Sequence, residues 1–166
     1  MNNVRLVQVA AADRGELVGA GFADAYAMIV DEVALDAPTA ARRAFGRSPQ
    51  WVRVLLRLRN GLVGMLGLKT ATPNAERSEY GWFPVVSSSA DRVVLGFDDK
   101  HLDFRLIASV VPHGKQTEVT VATIVRTHNL LGRCYLATIM PFHRVIVPAM
   151  LRQVTADKYS PSRSGT

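Results

Sequence analysis

The 166-residue chain has a single cysteine, Cys134. No internal disulfide can form, so packing alone must hold the fold, as expected for a reducing, cytoplasmic setting. Cys134 itself reads as a small apolar filler on a helix flank. The chain has no run of eighteen apolar residues, so the sequence predicts no membrane span. Residues 1–17 contain no apolar core of signal-peptide length. No pair of histidines has the H-x-x-x-H spacing of a zinc site. No serine stands with a histidine and a carboxylate in a way that sequence logic could turn into a triad. Gly61, Gly64 and Gly67 close a predicted helix instead of joining a strand to a helix start, so they do not make a phosphate cradle. No cofactor, metal or catalytic residue is implied.

Acid is also missing from two long stretches. Residues 37–75 hold Arg42, Arg43, Arg47, Arg53, Arg57, Arg59 and Lys69 without one Asp or Glu, and residues 119–156 are again free of acid. The net charge is +6. Such patches favour anionic partners, here an anionic membrane surface met by Arg42, Arg43, Arg47, Arg53 and Arg57. A solvated arginine-rich surface is the plainer reading. Aromatics are not interleaved with the arginines, which disfavours nucleic acid.

The chain does have the hydrophobic residues for a core, at 48% of its sequence. Its length fits one domain, drawn as residues 24–154 between an N-terminal lead-in, 1–23, and a flexible tail, 155–166. The organising stretch is 117–154. From 117 to 129 the residues alternate, with Val119, Val121, Thr123, Val125 and Thr127 on one face and Glu118, Thr120, Arg126 and His128 on the other. That is the period of a half-buried antiparallel strand. From 130 to 154 the period changes. Leu131, Tyr135, Ile139, Phe142, Ile146 and Ala149 recur at helical spacing, with Arg133, Ala137, Arg144 and Pro148 opposite. Pro141 and Pro148 fall on or beside the arginine side, where water can satisfy the carbonyls they free. One bent helix fits this pattern, and two helices with Pro141 opening the second are the alternative.

Upstream, residues 4–12 are a strand or an extended lead-in, and 25–35 is a strand. Asp36 and Pro38 start a helix over 38–45 that ends at Gly46. Ser48 and Pro49 open a second helix, 49–66, and 69–80 is a linker. Strands follow over 84–88, 92–97, 102–111 and 117–129, joined by turns too short for parallel crossovers. Pairing Val110 with Val119 sets Phe104 against Val125, Leu106 against Thr123 and Asp103 against Arg126, an architectural ion pair. The same register brings His101 near His128. With Asp99 or Asp103 they could hold a metal, but hydrogen bonding around the strand-to-helix corner, with Asn129 capping the last helix, is the simpler role.

This order predicts an α+β fold: an antiparallel sheet with one apolar face, closed over a long C-terminal helix, with two short helices capping one end. Four stretches carry a family resemblance. They are Ala23-Asp24-Ala25-Tyr26; Asp99 to Arg105; Val125-Arg126-Thr127-His128-Asn129; and Pro141-Phe142-His143-Arg144 with Ile146 to Leu151. On these the chain resembles an uncharacterised bacterial family of the START-like superfamily, also called SRPBCC or helix-grip. Members of that family are sometimes fused to a short-chain-dehydrogenase-like NAD-binding domain. The resemblance implies an internal pocket for lipids, polyketides or similar ligands, and some relatives are cyclases. On that basis Phe104, Leu106, Thr123, Val125, Tyr135, Ile139, Phe142 and His143 are the expected pocket lining. A non-catalytic binding module is the leading expectation, and a cyclase or aromatase using the same pocket is the alternative. Oligomeric state and ligand identity are not written in the sequence.

Overall fold

The structure is a computed structural model and describes residues 3–46, 79–81 and 83–156. Its elements run β1 (Arg5–Val7), α1 (Ala11–Arg14), β2 (Phe22–Val30), α2 (Ala37–Phe45), β3 (Val85–Ser88), β4 (Arg92–Asp98), β5 (Leu102–His113), β6 (Gln116–Thr127) and α3 (Leu130–Ala156). The predicted helix over 49–66 and nearly all of the linker after it lie outside the described residues, as do Trp51 and Trp82.

The strands form one open antiparallel sheet in the order β1-β2-β6-β5-β4-β3. The last hairpin keeps the register expected from its charges. Val110 faces Val119, Leu106 faces Thr123, Phe104 faces Val125, and Asp103 faces Arg126. Period-two alternation with charged residues on one side and branched apolar residues on the other leaves only this pairing, because a slip of one residue would exchange the two sides.

On the helix side of the sheet, Met28, Val30, Val93, Leu95, Leu106, Ala108, Val119 and Val121 meet Val147, Met150, Leu151 and Val154 of α3. Helix α2 closes the same core. Asp36 accepts a hydrogen bond from the Thr39 N–H at 2.7 Å, and Pro38 sits where its missing N–H costs nothing. Ala37, Ala40, Ala41 and Ala44 are fully buried along one stripe of α2. Side chains that small let two helices approach closely, and α3 packs there.

The far side of the sheet corrects the expectation of a single apolar face. Ala25, Val94, Ile107, Ala122 and Ile124 are buried there, under Val9 and Leu17. The N-terminal lead-in is therefore a cover for the sheet. It is fixed by Arg92, which donates to Asp13 at 2.9 and 3.1 Å and to Glu16 at 2.7 Å. Arg126 also donates to the Val18 carbonyl at 3.2 Å.

Helix α3 is a single helix through Pro141 and Pro148. Asn129 caps it, accepting from the Gly132 N–H at 3.0 Å. Tyr135 and Ile139 keep the expected face, but from Phe142 onward the rotation differs from expectation by about one residue, or roughly 100°. The stripe turned to the sheet is His143, Val147, Met150, Leu151 and Val154, whereas Phe142 is 37% exposed. Cys134, expected to fill a flank, is exposed. Hydropathy cannot set the rotation of a helix that is apolar nearly all round. By length and composition Leu130–Thr155 is also able to cross a membrane, although it has no unbroken run of eighteen apolar residues. In this fold its C-terminal half belongs to the protein core.

Candidate functional site: a carboxylate–imidazole pair under the long helix

Burial changes along α3. The inward residues of its C-terminal half are closed off from solvent: Val147, Met150, Leu151 and Val154 are all 7% exposed or less. Those of its N-terminal half, Tyr135, Leu136, Ile139, Met140 and His143, are only half-buried. The facing part of the sheet matches. Phe22, Asp24 and Tyr26 on β2, Phe97 on β4 and Phe104 on β5 are half-buried too, as is Phe83 before β3. Phe104 stacks at a tilt against Phe83 and Phe97, with centroids 5.8 and 5.6 Å apart. Apolar side chains in the middle of a helix–sheet interface are ordinarily covered. Here the helix and the sheet are tightly joined at one end, and their facing side chains are less covered at the other.

Polar groups stand at the boundary between the tight and the loose end. His143 Nε2 lies 2.9 and 3.0 Å from the two carboxylate oxygens of Asp24. Their side chains are 10% and 15% exposed. The ring of Phe22 meets the His143 imidazole edge-on, with centroids 5.7 Å apart. Asp24 belongs to the helix side of β2 because it shares parity with Tyr26, Met28 and Val30. An imidazole N–H donating to a carboxylate fixes the ring and its tautomer, with Nδ1 as the remaining site for a proton or a ligand.

Two hydroxyls adjoin this pair. Thr123 is the direct register partner of Asp24 across β2 and β6, so both side chains rise from the same side of the sheet about 5 Å apart. Thr123 is 3% exposed, and its Oγ1 is buried without a hydrogen-bond partner. Tyr26 comes next along β2. Burial pushes its phenol upward from the usual range, the Asp24 charge adds to this, and Arg144 partly opposes it. Tyr26 is thus neutral at ordinary pH and feels both the Asp24 carboxylate and the Arg144 guanidinium.

Of the expected lining, Thr123, Val125, Phe104 and Leu106 lie on the helix side of the sheet in one register block. His143, Tyr135 and Ile139 lie along the half-buried stripe of α3, and Phe142 is turned outward. Asp24 was not among the expected site residues, although it lies in one of the four stretches that carry the resemblance. Those stretches meet in two places. Asp24 meets His143 under the helix. On the far side Asp103 accepts from Arg126 Nε at 3.0 Å and contacts His128 Nε2 at 2.9 Å. His101 is not directed at His128 but contacts Asn129 Nδ2 through Nδ1 at 3.0 Å. Among the described residues no three His, Cys, Asp or Glu side chains converge as a metal site. Arg42 pairs with Glu79 at 3.1 Å and Arg43 with Glu32 at 2.7 Å. Arg47, Arg53 and Arg57 lie outside the described residues.

A family model described as a protein of unknown function (DUF2867) matches residues 17–150. The chain belongs to the DUF2867 family. The matched span holds Asp24, Tyr26, Thr123 and His143, and Asp13 and Glu16 precede it. No curated protein and no solved structure matches the DUF2867 chain.

Proposed function

We propose that this DUF2867 protein is a START-like binding module that holds an apolar or amphipathic small molecule between the sheet and the N-terminal half of α3. The carrying observation is the burial contrast along that helix: one end is sealed into the core, and the other leaves aromatic side chains half-open around a fixed carboxylate–imidazole pair. Ligand pockets commonly combine apolar walls with a few convergent polar groups. Asp24, His143 and Thr123 are those groups here, and Phe22, Phe97 and Phe104 are the walls.

Saturable binding of N-phenyl-1-naphthylamine, together with native mass spectrometry for a retained ligand, tests this reading. Placing a large ring in the cleft with Ile139→Trp should abolish probe binding while the protein stays folded. Probe binding that never saturates, or that is indifferent to Ile139→Trp, would remove the cleft as a binding site.

A second reading, an acid–base enzyme of the cyclase type, draws on the Asp24–His143 pair. A carboxylate-oriented imidazole is a common general base. It predicts a product of altered structure from a bound polyketone, and His143→Gln would stop turnover without stopping binding. The anionic-surface reading rests on residues 37–75. Arg42 and Arg43 already have carboxylate partners within the fold, so it needs Arg47, Arg53 and Arg57. Flotation with anionic against neutral vesicles separates it from the other two.

A further inference from the structure

Thr123 Oγ1 is the one buried side-chain polar atom without a partner among the described residues. Buried hydroxyls are seldom left so, and one that is calls for an explanation. It lies in register with Asp24, whose two oxygens are both engaged by His143 Nε2. It is closed off from solvent, so a group that satisfies it has to enter between the sheet and α3. The wall able to give way is the N-terminal half of α3, whose inward side chains are only half-buried.

The charges around it restrict what that group can be. An added carboxylate would place a second negative charge beside Asp24, and His143 Nε2 is already committed to Asp24. An added ammonium would compete with His143 for the same two oxygens. Arg144 acts on Tyr26 from the exposed side of the helix. A hydroxyl or a carbonyl meets neither objection. The Thr123 hydroxyl can donate to it or, for an alcohol, accept from it.

We propose that the ligand's polar end is an uncharged oxygen, a hydroxyl or a ketone, bonded to Thr123 Oγ1 beside the Asp24–His143 pair. The site then takes a neutral long-chain alcohol or ketone in preference to a fatty acid or an alkylamine of equal length. This rests on the binding reading above and adds the chemical class of the ligand.

Displacement of N-phenyl-1-naphthylamine by dodecanol, a dodecanone, dodecanoate and dodecylamine tests the choice. Dodecanol and the ketone should displace the probe at concentrations about tenfold lower than the two charged chains. Thr123→Val should weaken dodecanol by about three- to tenfold, the size of one hydrogen bond. The loss is read relative to the probe's own affinity for the same variant, and Thr123→Ser should restore dodecanol. Equal displacement by all four compounds, or dodecanoate as the best of them, overturns the neutral-oxygen proposal and leaves the cleft standing. So does a Thr123→Val variant that still prefers dodecanol. Failure of the probe itself to bind overturns the cleft and the proposal together.

Discussion

Asp103 on β5 and Arg126 on β6 face each other directly, on the side of the sheet that the long helix does not cover. The Asp103 side chain is 5% exposed and the Arg126 side chain 41%. Burial alone would push the Asp103 carboxyl up. The hydrogen bonds from His128 and Arg126, and the charges behind them, outweigh that and hold it below the usual aspartate value. A carboxyl lowered in the folded state stabilises fully above its unfolded value, about 3.9, and that contribution is lost as pH falls through the lower folded value.

The first prediction follows from this. Asp103→Ala should lower unfolding free energy at neutral pH by about 1–2 kcal/mol, the size of lost charge-assisted hydrogen bonds, because Arg126 and His128 are left partly solvated and not stranded in the core. Urea unfolding measures it. The wild-type protein should lose stability as pH drops below about 3.9, and Asp103→Asn should have a shallower slope over that same window. An unchanged slope would show that Asp103 is not ionised against Arg126 and His128 in the native protein.

The pair was readable in advance because two charges at matching parity admit one register. The rotation of α3 was not. Its sequence carries apolar residues on nearly every side, so choosing the face through Phe142, Ile146 and Ala149 over the one through His143, Val147 and Leu151 needed tertiary contacts. A histidine was turned in and a phenylalanine out, against their hydropathy. The missed partner did leave a signal. Asp24 lies two residues before Tyr26, at the parity of Met28 and Val30, and a strand with one buried face would have put that carboxylate inside. The second apolar face was signalled as well, since Ile107 and Ile124 fall at the parity assigned to solvent. Nothing in the spacing of Asp13 or Glu16 pointed to Arg92, because that contact is long-range and irregular.

Gly132 gives a second prediction. It sits in the first turn of α3, where alanine would ordinarily favour the helix by about 1 kcal/mol. A Cβ there would run into the carbonyl oxygen of His101, closer than real Cβ atoms come to their neighbours. The obstruction is backbone and cannot swing away, and the same carbonyl accepts from the His128 N–H at 2.9 Å. Gly132→Ala should therefore destabilise the protein by about 1–3 kcal/mol, read as a fall in urea midpoint with an unchanged denaturant slope. A gain in stability would mean that the helix start is not seated on the β4–β5 turn.

Arg92 tests the N-terminal cover. Asp13 has a side chain 7% exposed, and its ion-pair partner is Arg92, 27% exposed. Arg92→Ala strands a nearly buried carboxylate and should cost about 2 kcal/mol, less than a wholly buried pair. The local effect should be larger than the global one. Amide exchange should quicken across residues 11–20, and dye-accessible apolar surface should appear where Ile107, Ala122 and Ile124 lose their cover. Arg92→Lys keeps the charge but not the forked contact to Asp13 and Glu16, so it should fall between the two. Exchange that stays slow in Arg92→Ala would mean that Val9 and Leu17 hold the segment by packing alone.

Thr123 ties stability to the site. Its unpartnered hydroxyl is desolvated in the folded protein and hydrated in the unfolded chain, so it opposes folding. Valine has nearly the same shape, prefers strands at least as well and brings no polar atom. Thr123→Val in the ligand-free protein should therefore raise unfolding free energy by about 1 kcal/mol. Most core substitutions do the reverse. Urea unfolding of delipidated wild-type, Thr123→Val and Thr123→Ser proteins compares the three. Valine should be the most stable. Serine keeps the hydroxyl and loses a methyl group, so it should be the least stable. A valine variant no more stable than wild type would show that the Thr123 hydroxyl has a partner in the empty protein, and the reason for expecting a ligand oxygen beside it would then be gone.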